Sequence, residues 1–238
     1  MPTLWSRVRL KLLRFTLTKS RLTRRRLDAF VSEEATDAPV LAVHSHDIDL
    51  RRHFPNASHL SPRAAGQGRP ALPPYTDALR AEADASRETI VCTGLLEHVP
   101  SPADTVDELA RILAPGGRLI LSASAVFPFH GAPANYFHFT PQGLALLLDR
   151  HFEIARMRGS TGPFATLGVL VQRILLQCDV FPPLRLVLEL VQHVLPWLDA
   201  LVVRQYDAMD KRSPCDPAIG IMPATLMLVA RRRIEEPA

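Results

Sequence analysis

The sequence predicts an α/β fold built on a parallel sheet wound on both sides by helices. Three observations carry this. Thr89-Ile90-Val91-Cys92-Thr93 is a short apolar run ending in a polar Gly-Leu-Leu-Glu-His turn. A helix of marked amphipathic spacing follows and stops at Pro115-Gly116-Gly117. A second apolar run, 118–123, begins at once. Strand, crossover helix and strand in that order form a parallel βαβ unit, and such sheets bind ligands beyond the carboxyl ends of their strands.

The remaining elements follow from the same cues. Arg24-Arg25-Arg26 leads into Leu27, Phe30 and Val31, the spacing of a helix ahead of the first strand. Residues 39–43 form a candidate first strand, followed by the polar turn His44-Ser45-His46-Asp47. Residues 57–61 form a fainter second strand. Residues 62–88, rich in Pro, Gly and Ala, read as loop with a short helix near 76–86. In the helix after the 89–93 strand, Ser101 stands at the N-cap and Pro102 at the first helical position. Val106, Leu109, Ala110 and Leu113 give it one apolar face. Thr140-Pro141 opens another helix by the same logic, and 152–157 and 224–230 complete six strands. Between those last two, 164–205 is dense in Leu and Val and is broken at Phe181-Pro182-Pro183. It predicts two or three amphipathic helices, suited to a lid, a dimer face or a membrane-docking face. No stretch reaches the roughly 20 uninterrupted apolar residues that span a bilayer.

Charge divides the chain in two. The 238 residues carry a net charge of +4, but residues 1–26 alone hold nine Lys or Arg and no acid. The rest of the chain is therefore mildly acidic, which excludes a basic nucleic-acid groove on the body. In the arm, Leu4, Trp5, Val8, Leu12 and Phe15 recur at helical spacing among basic residues. That pattern fits either a surface helix or a basic amphipathic helix at the inner face of a membrane. The domain reading is thus a basic N-terminal arm over 1–26 and an α/β domain over 27–238, with 164–205 as insertion or lid. Three widely spaced cysteines, Cys92, Cys178 and Cys215, form no disulfide framework and fit a cytoplasmic location. No Gly-x-Ser-x-Gly elbow and no phosphate-cradling Gly-rich loop with Lys-Ser/Thr is present, which removes serine hydrolases of that type and P-loop enzymes.

Leu96-Glu97-His98-Val99, Glu108-Leu109-Ala110-Arg111-Ile112-Leu113 and Pro115-Gly116-Gly117 resemble the class I S-adenosylmethionine-dependent methyltransferase family of the type 11 kind. The resemblance continues through His130 and Asn135-Tyr136-Phe137-His138-Phe139-Thr140. Residues 20–230 can be laid on the family pattern, with the specific part at 89–150. The resemblance implies a Rossmann-like, doubly wound, seven-stranded sheet, mostly parallel, with the last strand antiparallel and the helical insertion between the last two strands. It implies S-adenosylmethionine as cofactor across the ends of the first, second and fourth strands.

On that pattern the cofactor contacts fall on His44, Ser45, His46, Ser61, Thr93, Gly94, Leu95, Glu97 and His98. His130, Tyr136 and His138 fall where a methyl acceptor would enter, as residues able to orient or deprotonate it. The chain also departs from the pattern. The turn after the first strand has no glycine, Ser61 stands where the second strand should end in an acid, and Asn135 and His138 replace an Asp and an Arg. Two readings stay open. One is a methyltransferase acting on a small-molecule, lipid or glycan acceptor. The other is an inactive methyltransferase-like domain serving as a binding or interaction module, with a membrane surface as one place where it could act. A homodimer is compatible with either. No metal site is expected, because His44 and His46 with His130 or His138 make no recognisable ligand set.

Overall fold

Runs of β-branched and aliphatic residues bounded by turn formers become the strands, and the strands pair into one sheet. The computed structural model describes residues 22–44, 49–60, 74–130 and 134–234. Six strands lie among them: β1 (Val40–Val43), β2 (Ala57–Leu60), β3 (Arg87–Thr93), β4 (Leu113–Ser124), β5 (Phe152–Gly159) and β6 (Thr225–Arg232). Six helices accompany them: α1 (Leu22–Ser32), α2 (Pro74–Arg80), α3 (Pro102–Ile112), α4 (Pro141–Leu148), α5 (Pro163–Gln177) and α6 (Pro182–Leu198). The sheet order is β2-β1-β3-β4-β6-β5. β1, β2, β3 and β4 are mutually parallel, and β6 runs antiparallel between β4 and β5.

The resemblance implied seven strands, and the residues themselves supply six among those described. The Pro- and Gly-rich stretch 61–73, which follows β2 at the sheet edge, lies outside the described residues, as does most of the basic arm. α1 runs straight through the boundary drawn at residue 26, because Arg24, Arg25 and Arg26 form helical turns ahead of the buried Leu27, Phe30 and Val31.

The two-residue alternation of strand side chains divides the core into two layers. Leu41, Val43, Ile90, Cys92, Leu119 and Leu121 point to one face, packed with Leu79 of α2, Val106 and Leu109 of α3, and Leu144 and Leu148 of α4. Val40, Ala42, Val91, Ile120, Met227 and Val229 point to the other, packed with Leu27, Phe30 and Val31 of α1 and with Leu50 and Phe54. The helix starts differ in how they are capped. Thr140 Oγ1 accepts from the Gly143 N–H and caps α4, whereas the Ser101 side chain makes no cap bond at α3. There the Ser101 carbonyl takes bonds from the N–H and hydroxyl of Thr105 instead. α5 is capped from a distance, its Phe164 and Ala165 N–H groups donating to the Asp199 carboxylate at 2.8 and 3.1 Å. Among the described residues, no helix is long and apolar enough to cross a membrane.

Candidate functional site

Strand order reverses between β1 and β3, since the chain continues to β2 on one side and β4 on the other. Neighbouring crossovers then lie on opposite faces and leave a crevice at the carboxyl ends. A cavity of about 290 Å³ opens there, near the lower limit of about 300 Å³ usual for ligand pockets. His44, Thr93, Gly94, Glu97, His98, Ser122, Ser124 and His130 line it, together with Arg24 of α1 and Arg173 of α5.

The strand ends fix its walls. Gly94 leaves β3 at φ +63°, and its N–H donates to the Ser122 carbonyl of β4 at 3.0 Å. This left-handed step suits glycine, and it drops the chain into the short 3₁₀ turn Leu96–His98. Glu97 is then only 3% exposed. Its Oε1 accepts from the Ser124 N–H at 3.2 Å and the Ser124 hydroxyl at 2.7 Å, while its Oε2 is buried without a partner. Thr93 Oγ1 is likewise buried without a partner.

A loop straps the other side. Tyr136 N–H donates to the Glu97 carbonyl at 2.7 Å, and Phe139 N–H to the Ser124 carbonyl at 2.9 Å. A carbonyl can only accept, so the 2.5 Å contact from His98 Nδ1 to the Ala134 carbonyl makes Nδ1 the protonated nitrogen. The same holds for His130, whose Nδ1 lies 3.0 Å from the Pro128 carbonyl. Burial above all pushes the His130 imidazole down to about 4, with nearby His98, Arg173 and His138 adding to it. Four imidazoles follow one another, His44, His98, His130 and His138, with ring centroids 5.8, 4.9 and 6.3 Å apart.

His44 takes the turn expected to hold glycine, and it does so at φ +53°. A side chain there carries backbone strain that glycine would not. Its Nδ1 sits 3.2 Å from the Thr93 carbonyl, and its ring stands edge-on to Tyr75 at 5.2 Å.

Of the residues named from the sequence as cofactor contacts, His44, Thr93, Gly94, Glu97 and His98 meet at the cavity. Ser45, His46 and Ser61 lie outside the described residues. Leu95 does not line the cavity: it is fully buried in the apolar core, because the turn after Gly94 directs it inward. Of the acceptor-side residues only His130 lines the cavity. Tyr136 is 54% exposed and contributes its backbone N–H. His138 is exposed and pairs through Nε2 with Asn135 Oδ1 at 3.1 Å, so the two residues that replace the Asp and Arg of the family pattern contact each other. Sequence reasoning missed Ser122, Ser124 and Thr225 as wall residues. Their signal was polar side chains inside otherwise apolar central strands. It also missed Arg24 and Arg173, which come from helices distant in sequence.

Cys92 is buried in β3, and burial pushes its thiol well above the usual range, so it packs as core. All three cysteines are free.

A family model described as a methyltransferase domain matches residues 38–156, half of the chain. The ubiquinone biosynthesis O-methyltransferase of Paracidovorax citrulli is 46% identical over 46 residues, 19% of this chain and 19% of that protein. The chain thus matches about a fifth of the length of such curated relatives. A SAM-dependent methyltransferase from Archaeoglobus fulgidus superposes with a TM-score of 0.50 at 9% identity, covering 90% of this chain and 94% of that one. The [4+2]-cyclase SpnF also superposes at 0.50, with 12% identity, over 88% and 82% of the two chains. At such identities these likenesses show the fold alone.

Proposed function

The chain belongs to the methyltransferase domain family, and on that premise we propose that it transfers a methyl group from S-adenosylmethionine to a small-molecule, lipid or glycan acceptor. The observation that carries this reading is the cavity at the β1/β3 switch point with polar groups left unsatisfied inside it. The residues present fit the cofactor. Thr93 Oγ1 has hydrogen-bonding capacity to spare, and Gly94 leaves open space on the cavity side, where an added Cβ would meet only Glu97 Oε1 at 3.7 Å. His44, Thr93 and Gly94 would hold it, with Glu97 and His98 beside them. When bound, S-adenosylmethionine supplies an electrophilic methyl on a sulfonium, which demands orientation more than strong acid or base.

The protein's part is then placement and exclusion of water. His130, with so low a proton affinity, is a poor base at neutral pH and presents an Nε2 lone pair to the cavity. The 134–139 strap and Arg173, which lies 4.4 Å over the Phe127 ring, close the cavity from two sides. α5 and α6 act as a lid. The outer face of α6 exposes Leu186, Leu190 and Trp197, the last 80% exposed, which supports contact with a membrane surface or a second copy. Liposome co-sedimentation with and without residues 1–26 tests the membrane contact, and unchanged binding after deletion removes the arm from it.

A second reading, a domain that no longer turns over, is favoured by His44, whose ring stands where a glycine would leave space. Calorimetric titration with S-adenosylmethionine and its demethylated product separates the two. Micromolar binding supports the enzyme. Absence of binding to wild type, restored by His44→Gly, would establish that the imidazole closes a cofactor site. Absence in both proteins refutes cofactor use.

A further inference from the structure

We propose that Glu97, His98 and His130 form a binding site for one divalent transition-metal cation of the zinc class. One ligand atom from each of the three residues lies within 4.8 Å of the other two. Around a tetrahedral zinc with bonds of about 2.0–2.1 Å, donors stand about 3.4 Å apart, a distance that small side-chain rotations reach from there.

The hydrogen bonds select the donors. His98 and His130 each spend Nδ1–H on a backbone carbonyl, of Ala134 and Pro128. That leaves the Nε2 lone pair of each available. Metal-binding histidines show this arrangement, in which a carbonyl partner fixes ring orientation and tautomer. Glu97 repeats it with a carboxylate: Ser124 holds Oε1 with two donors, and Oε2 is left buried and unpartnered. A buried carboxylate oxygen with no donor is costly, and a cation between it and two imidazoles removes that cost.

The donor set names the class of ion. Two imidazoles and one carboxylate suit zinc and its transition-metal neighbours, whereas magnesium and calcium favour all-oxygen shells. Three protein donors leave a coordination position open, as in catalytic rather than structural zinc sites. In the cavity that position would take an oxygen or nitrogen donor of the acceptor, a role that rests on the methyltransferase reading. The cation site itself does not rest on it.

The test uses the full chain freed of metal with a chelator that is then removed. Titration with zinc chloride should show one equivalent bound at micromolar dissociation constant or tighter, and magnesium chloride should show no comparable binding. Cobalt(II) should give visible d–d absorption of a low-coordinate site. His130→Ala and Glu97→Gln should each weaken zinc binding about 100-fold or more, and His138→Ala, outside the cluster, should leave it unchanged. Thermal melting without metal shows that each variant is folded. If Glu97→Gln fails to fold, His130→Ala on its half-buried loop decides the matter. No zinc uptake by folded wild type, or unchanged uptake by the folded variants, overturns the site. Titration with S-adenosylmethionine, run separately on metal-free protein, tells its failure apart from failure of the methyltransferase reading.

Discussion

Glu97 and the pair Glu33–Glu34 are acids set against the same sheet, and they are treated in opposite ways. At the outer edge, Glu33 meets Arg156 at 2.6 Å and Arg158 at 2.9 Å, while Glu34 meets Arg156 at 2.6 Å and Arg118 at 2.9 Å. Arg156 also lies 4.7 Å over the Phe30 ring. These contacts tie α1 to β4 and β5 with every carboxylate opposite a guanidinium. At the strand ends, Glu97 is buried deeper, is held by a serine on one oxygen only, and faces the imidazoles of His98 and His130 and no guanidinium within ion-pair distance among the described residues. Structural acids here are paired with cations at the rim. The acid in the cavity is positioned and then left with unused capacity, which marks it as available to a ligand.

Glu97→Gln should break this contrast most sharply. The amide keeps the shape and can keep the Ser124 bonds, so the melting temperature should move by no more than about 4 °C, equivalent to about 1 kcal/mol. Methyl transfer should fall about 100-fold or more if the spare oxygen is used in the reaction. Equal activity in the variant would show that the carboxylate is only a turn brace. Arg156→Ala tests the other side. Removing two ion pairs and a ring contact should cost about 1–2 kcal/mol by denaturant unfolding, with S-adenosylmethionine affinity changed less than about threefold. A larger change in affinity would show that the edge and the cavity are coupled.

The smallest effect concerns pH. The hydrogen bond and charge of Arg156, with Arg158 behind it, hold the Glu33 carboxyl below its usual value. A group whose folded value is depressed gives stability that is present above its unfolded value, near 4.5, and is lost as pH falls through the folded one. Glu33→Gln should therefore flatten the stability profile slightly below pH 4.5, and salt should shrink the difference. An identical profile in wild type and variant would show that the exposed pair contributes nothing measurable.

The β3–α3–β4 unit was legible because its signals are local: an apolar run, Pro102 at a helix start, Pro115-Gly116-Gly117 at the exit. The helix itself stops earlier than that signal, at Ile112 with Leu113 already extended, and Gly116 takes its φ of +75° inside β4. All six strands could be placed from the residues alone, and only the seventh rested on resemblance. Glu97, His98 and His130 could each be picked out by position, but not their convergence, which depends on a 3₁₀ turn and a loop folding to one point. Pairing of Glu33 with Arg158 spans 125 residues and leaves no periodic trace. His44 shows the limit from the other direction. A missing glycine was plain in the sequence, yet only the backbone reveals that a histidine accepts the left-handed angle in its place.

α1 has one further consequence. Its N-terminal half supplies Thr23, Arg24 and Leu27 to the cavity wall, and the turn that follows its last residue is bolted to β4 and β5 through Glu33 and Glu34. It has the layout of a lever, with one end anchored at the sheet edge and its working end in the cavity wall. Whatever grips the chain ahead of Leu22 pulls on that working end. The basic arm is therefore mechanically in series with the pocket, and an attachment made there would be felt where the ligand binds.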